Sequence, residues 1–310
     1  MPAAKMREDG QRDGLRRLLS GGETVAVPGV FNPPSAILAE RAGFRCLYLS
    51  GAALANSMGL PDLGVTTLTE VAAAASGIAA AVPALPLVVD VDTGFGEAVN
   101  VARTVREMER AGAAGIQLED QVMPKRCGHL AGKELVEPEE MAKKVVAARE
   151  ASRRGLVLVA RTDAAEGEGL DGAVERARLY RRAGADAIFP EALRSKEEFA
   201  EFSKKVGGPL LANMTEFGKT PYVSVSEFAS LGAYKLVLFP VTTFRAAMWA
   251  VRRALEELSE SGTQKGLLDT LMTRDEFNGL IDYRSFESAD RSAASRASTL
   301  AGRGGRGSRR

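Results

Sequence analysis

Residues 86 to 119 spell out one complete folding unit: Pro86-Leu87-Val88-Val89-Asp90, then a glycine-rich turn through Gly94-Phe95-Gly96, then Val99 to Ala111, then Gly115-Ile116-Gln117-Leu118-Glu119. The first run is short, apolar and β-branched, as a strand buried on both faces must be. Val99 to Ala111 carries its apolar residues at helical spacing and closes in Arg110-Ala111-Gly112. A cation in the last turn followed by glycine marks a helix C-terminus. Strand, helix and strand in this order form a βαβ unit, which belongs to a parallel sheet.

Working outward, the same pattern recurs on both sides. Strands are predicted at Val25–Pro28, Cys46–Leu49, Leu156–Arg161, Asp186–Phe189, Leu210–Asn213 and Lys235–Phe239, which makes eight with the two above. The helix ending recurs as Arg41-Ala42-Gly43 and Arg182-Ala183-Gly184. Eight βα units predict an α/β protein, a closed (β/α)8 barrel of the TIM type with extra C-terminal helices. An open doubly wound sheet is the competing architecture, and no Gly-x-Gly-x-x-Gly follows the first strand to support it. After Phe239, amphipathic helices are expected over Thr242–Ser259 and within Lys265–Tyr283. The expected division is a flexible N-terminus over residues 1–13, a barrel with its C-terminal helices over 14–288, and a disordered basic tail over 289–310.

The chain has 310 residues, a formal charge of +1, 45% apolar and 26% charged residues. That balance suits a globular protein and gives no whole-molecule attraction for nucleic acid or membrane, so neither partner is expected. The Arg-rich end, Arg303 to Arg310, is read as a solvated tail, with nucleic-acid contact as its competing reading. The start, Met1 to Gln11, is charged and unlike a secretory signal. The longest apolar stretch, Val71 to Val89, is broken by Ser76, Gly77, Pro83 and Pro86, so no membrane span is expected. Two cysteines make no disulfide framework, and a reducing, cytoplasmic setting is the expectation.

Reactive groups in such a barrel gather at the C-terminal strand ends. Here those ends carry Tyr48 and Ser50, Asp90 and Asp92, Glu119 and Asp120, Arg161 and Asp163, Glu191, Asn213 and Thr215, and the eighth leads to Arg245. Asp90 and Asp92 fall on one side of an extended segment because side chains alternate. With Glu119 and Asp62 they form an all-oxygen set suited to Mg2+ and unsuited to zinc. The competing reading is that these acids cap helices or pair with Arg161. Lys125, Arg126, His129, Arg161 and Arg245 supply cations, and arginine forks bind carboxylates, so a substrate with several carboxylates is implied. The only histidine and one of the two cysteines share the run Lys125-Arg126-Cys127-Gly128-His129. Its positive field is expected to lower the Cys127 pKa and ready the thiol for proton exchange or covalent attack, whereas an inert thiol is the ordinary reading for Cys46.

In order along the chain stand Tyr48-Leu49-Ser50-Gly51, Gly59-Leu60-Pro61-Asp62-Leu63-Gly64, Asp90-Val91-Asp92-Thr93-Gly94-Phe95-Gly96, Glu119-Asp120-Gln121, Lys125-Arg126-Cys127-Gly128-His129, Ala160-Arg161-Thr162-Asp163, Phe189-Pro190-Glu191-Ala192, Asn213-Met214-Thr215-Glu216-Phe217-Gly218 and Gly262-Thr263-Gln264-Lys265. With these motifs the chain resembles the isocitrate lyase and phosphoenolpyruvate mutase superfamily from about Leu15 to Phe286, and within it the branch that cleaves 2-methylisocitrate. The resemblance implies the barrel and a homotetramer with exchanged C-terminal helices. It implies Mg2+, or Mn2+, bound by Asp90 with Asp92, with Asp62 and Glu119 supporting its water shell. Ser50, Gly51 and Ala52 would line a substrate carboxylate. Cys127, Gly128, Arg161, Glu191, Asn213, Thr215, Arg245 and Arg274 would complete substrate binding. The implied reaction, a step of propionate catabolism by the methylcitrate cycle, is a retro-Claisen cleavage to pyruvate and succinate. Arg161 would hold the alkoxide, while Arg245, His129 and Lys125 would offset the developing charge. Cys127 would deliver a proton, and Tyr48 would take the hydroxyl proton. Phe189 and Leu238 would form a niche for the extra methyl group. Isocitrate and 2,3-dimethylmalate are the alternative substrates. Ser50-Gly51-Ala52 stands where the superfamily often has Ser-Gly-Gly, and the Ser50–Asp62 stretch is one residue shorter than usual.

Overall fold

The computed structural model describes residues 2–130 and 132–304. Eight parallel strands close into a barrel in sequence order: β1 (Val25–Val30), β2 (Leu47–Leu49), β3 (Leu87–Asp90), β4 (Gly115–Glu119), β5 (Val157–Thr162), β6 (Ala187–Pro190), β7 (Leu210–Asn213) and β8 (Tyr234–Phe239). Pairing of Val25, Ala26, Val27 and Pro28 with Leu236 to Phe239 closes the ring, so the open doubly wound sheet is excluded. Helix α1 (Pro2–Ser20) precedes the barrel. The chain then alternates strand and helix through α2 (Pro33–Arg41), α3 (Gly51–Ser57), α4 (Leu68–Ala81), α5 (Ala98–Arg110), α6 (Pro138–Ala151), α7 (Gly169–Arg182), α8 (Lys196–Val206), α9 (Val225–Ser230) and α10 (Thr242–Ser261). The glycines that close the three Arg-Ala-Gly motifs, Gly43, Gly112 and Gly184, have φ of 84°, 86° and 115°. That left-handed conformation stops a helix and costs glycine nothing sterically.

Strand alternation sorts the side chains into two layers. Val27, Tyr48, Val88, Val159, Phe189, Leu211 and Leu236 fill the barrel interior. Leu47, Leu49, Val89, Ile116, Leu158, Ile188 and Ala212 face outward against the helices. Following the interior parity toward the C-terminal ends leads to Ser50, Asp90, Glu119, Arg161, Glu191, Asn213 and Leu238. The period of two that builds the core therefore also aims the polar residues at one end of it.

Helix α1 runs from residue 2 through the start expected to be flexible over residues 1–13, of which residue 1 lies outside the described residues. Its Leu15 and Leu19 are buried with Val25, Ala114 and Val157 at the N-terminal end of the barrel. Gln11 Nε2 donates to the Pro83 carbonyl at 2.8 Å, and Arg16 Nη2 donates to the Gly155 carbonyl at 2.8 Å. Apolar residues at helical spacing, including Leu15, Leu18 and Leu19, find a face to bury, and this burial orders a segment that reads as charged and mobile in isolation.

The chain divides into two compact units, Met1–Trp249 and Ala250–Arg310. The second holds the rest of α10, a 3-10 turn (Lys265–Thr270), α11 (Arg274–Leu280) and α12 (Tyr283–Gly304). Helix α12 runs through the tail expected to be disordered from residue 289, as far as Gly304. Ala293, Ala294, Ala297 and Ala301 give this stretch high intrinsic helix propensity, and Arg291 pairs with Glu287 one turn back at 3.2 Å. The final residues of the basic tail, 305–310, lie outside the described residues. Among the described residues no helix is long and apolar enough to cross a membrane.

Candidate active site

A cavity of about 350 Å3 opens at the C-terminal end of the barrel. Of the predicted site residues, Tyr48, Ser50, Ala52, Asp62, Asp90, Lys125, Cys127, Gly128, His129, Arg161, Phe189, Glu191, Asn213, Thr215, Leu238 and Arg245 line it. Gly51, Asp92 and Glu119 sit just behind, and the Gly51 N–H donates to Asp90 Oδ2 at 3.1 Å. Arg274 opens α11 in the second unit, with Thr273 as its N-cap.

Asp90, Asp92 and Glu119 bring one carboxylate oxygen each within 4.8 Å of one another, and all three are buried. Their proximity matches the expectation, but the cause for Asp92 differs. The strand stops at Asp90, and Asp92 returns toward the cluster through a turn with φ 47°. Crowding has the expected effect. Burial, then repulsion from Asp92, pushes Asp90 up to about 6, and burial pushes Glu119 well above the carboxylate range despite Arg161 and Lys125. Glu119 Oε1 is buried without a hydrogen-bond partner. Crowded carboxylates and an orphaned oxygen fit a hard divalent cation, which needs oxygen donors and would relieve both penalties. Asp62, predicted with this set, stands outside the triad and pairs with Lys125.

Lys125 is buried, and its Nζ lies 2.9 Å from Asp92 Oδ1 in addition to its bond with Asp62. Burial opposes its charge, but Asp92, Glu119 and Asp62 outweigh that and keep it cationic. Lys125 thus neutralises the acidic cluster before it can serve a substrate.

Arg161 is gripped on three sides. Its Nε and Nη2 donate to Asp163 at 2.9 and 3.0 Å, and its Nη1 lies 3.5 Å from Glu119 and 3.2 Å from Glu191. Its guanidinium stacks 5.2 Å from the Phe189 ring centroid. Behind it, Asp120 Oδ1 accepts from the Asp163 N–H at 3.0 Å while its other oxygen accepts from Tyr180 at 2.8 Å. Burial opposes the Glu191 carboxylate, yet Arg161 and His129 hold it down at about 2.

The loop after β4 carries Cys127, Gly128 and His129 over the cavity. An antiparallel bridge between Gln121 and Leu135 pins its base, and the Gln121 side chain bonds both the N–H and the carbonyl of Arg126 at 2.9 Å. His129 Nδ1 accepts from the Lys219 N–H at 3.0 Å, so the ring proton sits on Nε2, which faces Glu191 Oε1 at 3.2 Å. Gly128 is packed so closely that a Cβ would stand 2.4 Å from Glu191 Cγ and 2.5 Å from Arg161 Nη2.

The structure bears on two sequence-based expectations here, and it corrects the first. Cys127 was expected to be acidified by its cationic neighbours. Instead burial raises its pKa, and Asp62 and Glu191 offset what Arg161 contributes. Burial therefore favours the protonated thiol over the thiolate. Tyr48 was expected to take a proton. Burial, then Asp90, holds its phenol protonated, and its O–H donates to Gln117 Oε1 at 2.6 Å.

Gln117, Lys133, Glu166, Lys219, Val241 and Phe244 are involved in or around the site without having been singled out as site residues. Gln117 shares the interior parity of Glu119 and donates to it at 3.3 Å. An amide inside an apolar strand was its visible signal. Lys133 and Lys219 looked like any solvated lysine.

A barrel with a carboxylate triad and a cysteine-bearing loop at one mouth defines a class, and the chain belongs to the phosphoenolpyruvate phosphomutase family, whose model matches residues 15–259. A 2-methylisocitrate lyase of Aeropyrum pernix is 57% identical over 299 residues, covering 96% of each chain. The crystal structure of a 2,3-dimethylmalate lyase, a member of the phosphoenolpyruvate mutase/isocitrate lyase superfamily, is 37% identical with a TM-score of 0.86 over 91% of this chain and 95% of that one. A phosphonopyruvate hydrolase, solved in complex with oxalate and Mg2+, is 32% identical with a TM-score of 0.82 over 90% and 98%.

Proposed function

We propose that the chain is a Mg2+-dependent carbon–carbon lyase that cleaves 2-methylisocitrate to pyruvate and succinate. The observation that carries the reading is the meeting, around one cavity, of a protonated thiol, a fixed guanidinium and a three-carboxylate cluster. High identity to a relative named for this reaction supports the substrate.

Asp90, Asp92 and Glu119 would hold the cation, directly or through water. Bound there, a divalent ion supplies Lewis-acid polarisation of an oxygen-rich substrate. The protein residues handle the remainder. Arg161 is already oriented by Asp163 and Glu191, so it meets a substrate oxyanion without reorganising. The substrate hydroxyl passes its proton to solvent at the cavity mouth, the adjacent carbon–carbon bond breaks to form the carbonyl of pyruvate, and the electron pair passes onto the succinate fragment as an aci-carboxylate. The Cys127 S–H then protonates that carbon. His129, donating through Nε2, and Arg245 at the rim stabilise the added negative charge. Phe189 and Leu238, both buried and both lining the cavity, form the apolar niche for the methyl group.

Helix α10 supports an oligomeric assembly. Met248, Val251, Leu255 and Leu258 recur along one stripe and are exposed, as is Trp249 at 58%. A homotetramer that exchanges these C-terminal helices would cover the stripe. The unpaired Cys46 and Cys127 suit a reducing cytoplasm.

A steady-state comparison of 2-methylisocitrate, isocitrate and 2,3-dimethylmalate with Mg2+ tests the reading. The expected order puts 2-methylisocitrate first. One methyl group discriminates by only about 1–3 kcal/mol, so slow turnover of the others fits. A clear preference for 2,3-dimethylmalate would overturn the substrate and leave the lyase class standing.

A further inference from the structure

Glu166, in the loop between β5 and α7, receives cations from two other loops. Lys219, after β7, binds its Oε1, and Lys133, on the far side of the Cys127 loop, lies 3.2 Å from its Oε2. Each lysine also grips the segment over the cavity. Lys133 Nζ donates to the Gly128 carbonyl and stands 3.5 Å from Asp163 Oδ1. The Lys219 N–H donates to His129 Nδ1. Two adjacent residues of the loop are thus held from two sides, and both holds converge on one carboxylate.

We propose that Glu166 is a positioning residue, joining Lys133 and Lys219 into one bridge that keeps Cys127, Gly128 and His129 seated over the cavity. The role rests on the reading of that cavity as the active site. Glu166 does not line the cavity and touches no group proposed to react. Without its charge the two ammonium groups have no common partner and repel each other. Gly128 can then rise from Arg161 and Glu191, and the His129 ring loses its fixed acceptor geometry. The Glu166 side chain is 25% exposed and that of Lys219 29%, so their pairing adds little to global stability. Its effect falls on where the thiol sits, and small misplacement of a reacting group is costly in rate.

Alkylation by iodoacetamide, followed by intact mass on the full-length protein, reads the seating directly. Cys46 is completely buried, with its pKa pushed up to about 12 by that burial, so Cys127 is the thiol that reports. Glu166→Gln is expected to raise the Cys127 alkylation rate about fivefold or more and to lower kcat/KM about tenfold. Its Tm should stay within about 2 °C of the parent. Lys219→Met keeps the backbone N–H to His129 and loses only the ion pair. It should reproduce both changes, and the double variant should be no worse than either single one. An unchanged alkylation rate in Glu166→Gln, or effects that multiply in the double variant, would overturn the proposal. Alkylation is read without substrate, so this result stands apart from which acid the enzyme cleaves.

Discussion

At the scale of single residues, the proposed chemistry turns on whether the Cys127 thiol holds its proton. Burial raises its pKa above the ordinary value of 9.0. The donor form is the protonated one and is lost as pH rises, so a raised pKa moves that loss upward. The basic limb of the kcat/KM profile is expected above pH 9. A limb near pH 7 would assign the thiol to the thiolate form instead. Cys127→Ser should lose about 10²–10⁴ in kcat, the usual contribution of a positioned acid, with inhibitor binding retained. Full activity in the serine variant would remove the thiol from the mechanism. Gly128→Ala tests the close approach of the loop to Arg161 and Glu191. No methyl group fits at 2.4 Å from Glu191 Cγ, so the loop must lift. A loss of about a hundredfold in kcat/KM, without a matching loss of Tm, is the expected outcome.

Among the elements, α1 has the least obvious purpose in sequence. It closes the N-terminal end of the barrel, opposite the cavity, with Leu15 fully buried against interior strand residues. Leu15→Ala should destabilise the protein by about 2–5 kcal/mol in urea unfolding, because the cavity left behind cannot collapse inside a closed barrel. Turnover of the folded fraction should be unchanged, since Leu15 packs at the end of the barrel opposite the cavity. A near-neutral effect would mean that α1 is a surface appendage. The strands tell the opposite story. Their interior parity was plain in the apolar runs, and the same parity delivers Asp90, Glu119, Arg161 and Asn213 to the cavity. What the runs did not show was that Asp92 leaves the strand and reaches the triad through a turn.

For the whole molecule, the carboxylate triad links metal to folding. Lys125 and Arg161 offset only part of the crowding among three buried acids, and a cation that binds the native state alone adds RT ln(1 + [L]/Kd). At a hundredfold excess over Kd, Mg2+ should raise stability by about 2.7 kcal/mol, seen as a Tm increase that EDTA reverses. Asp90→Asn together with Asp92→Asn should abolish that response while leaving the barrel folded. An equal Mg2+ response in this variant would place the ion elsewhere. The exposed apolar stripe of α10 makes a second prediction at this scale. Sedimentation should find a tetramer, and Leu255→Glu with Leu258→Glu should shift it to smaller species. A monomeric parent chain would dispose of the exchange of helices.

The eight strands, the closed barrel and the polar residues at its strand ends were legible in the order of residues, because hydrophobic periodicity and strand-end position are local properties of the chain, whereas the class of reaction was implied by the resemblance that the motifs carry. Protonation was decided only by the tertiary structure. Cys127 and Tyr48 keep their protons because folding takes them out of water, and Asp90 rises to about 6 for the same reason, sharpened by Asp92 beside it. Desolvation depends on everything that packs around a group, and no stretch of sequence contains that information. The same holds for Glu166, whose two lysine partners lie 33 residues before it and 53 after.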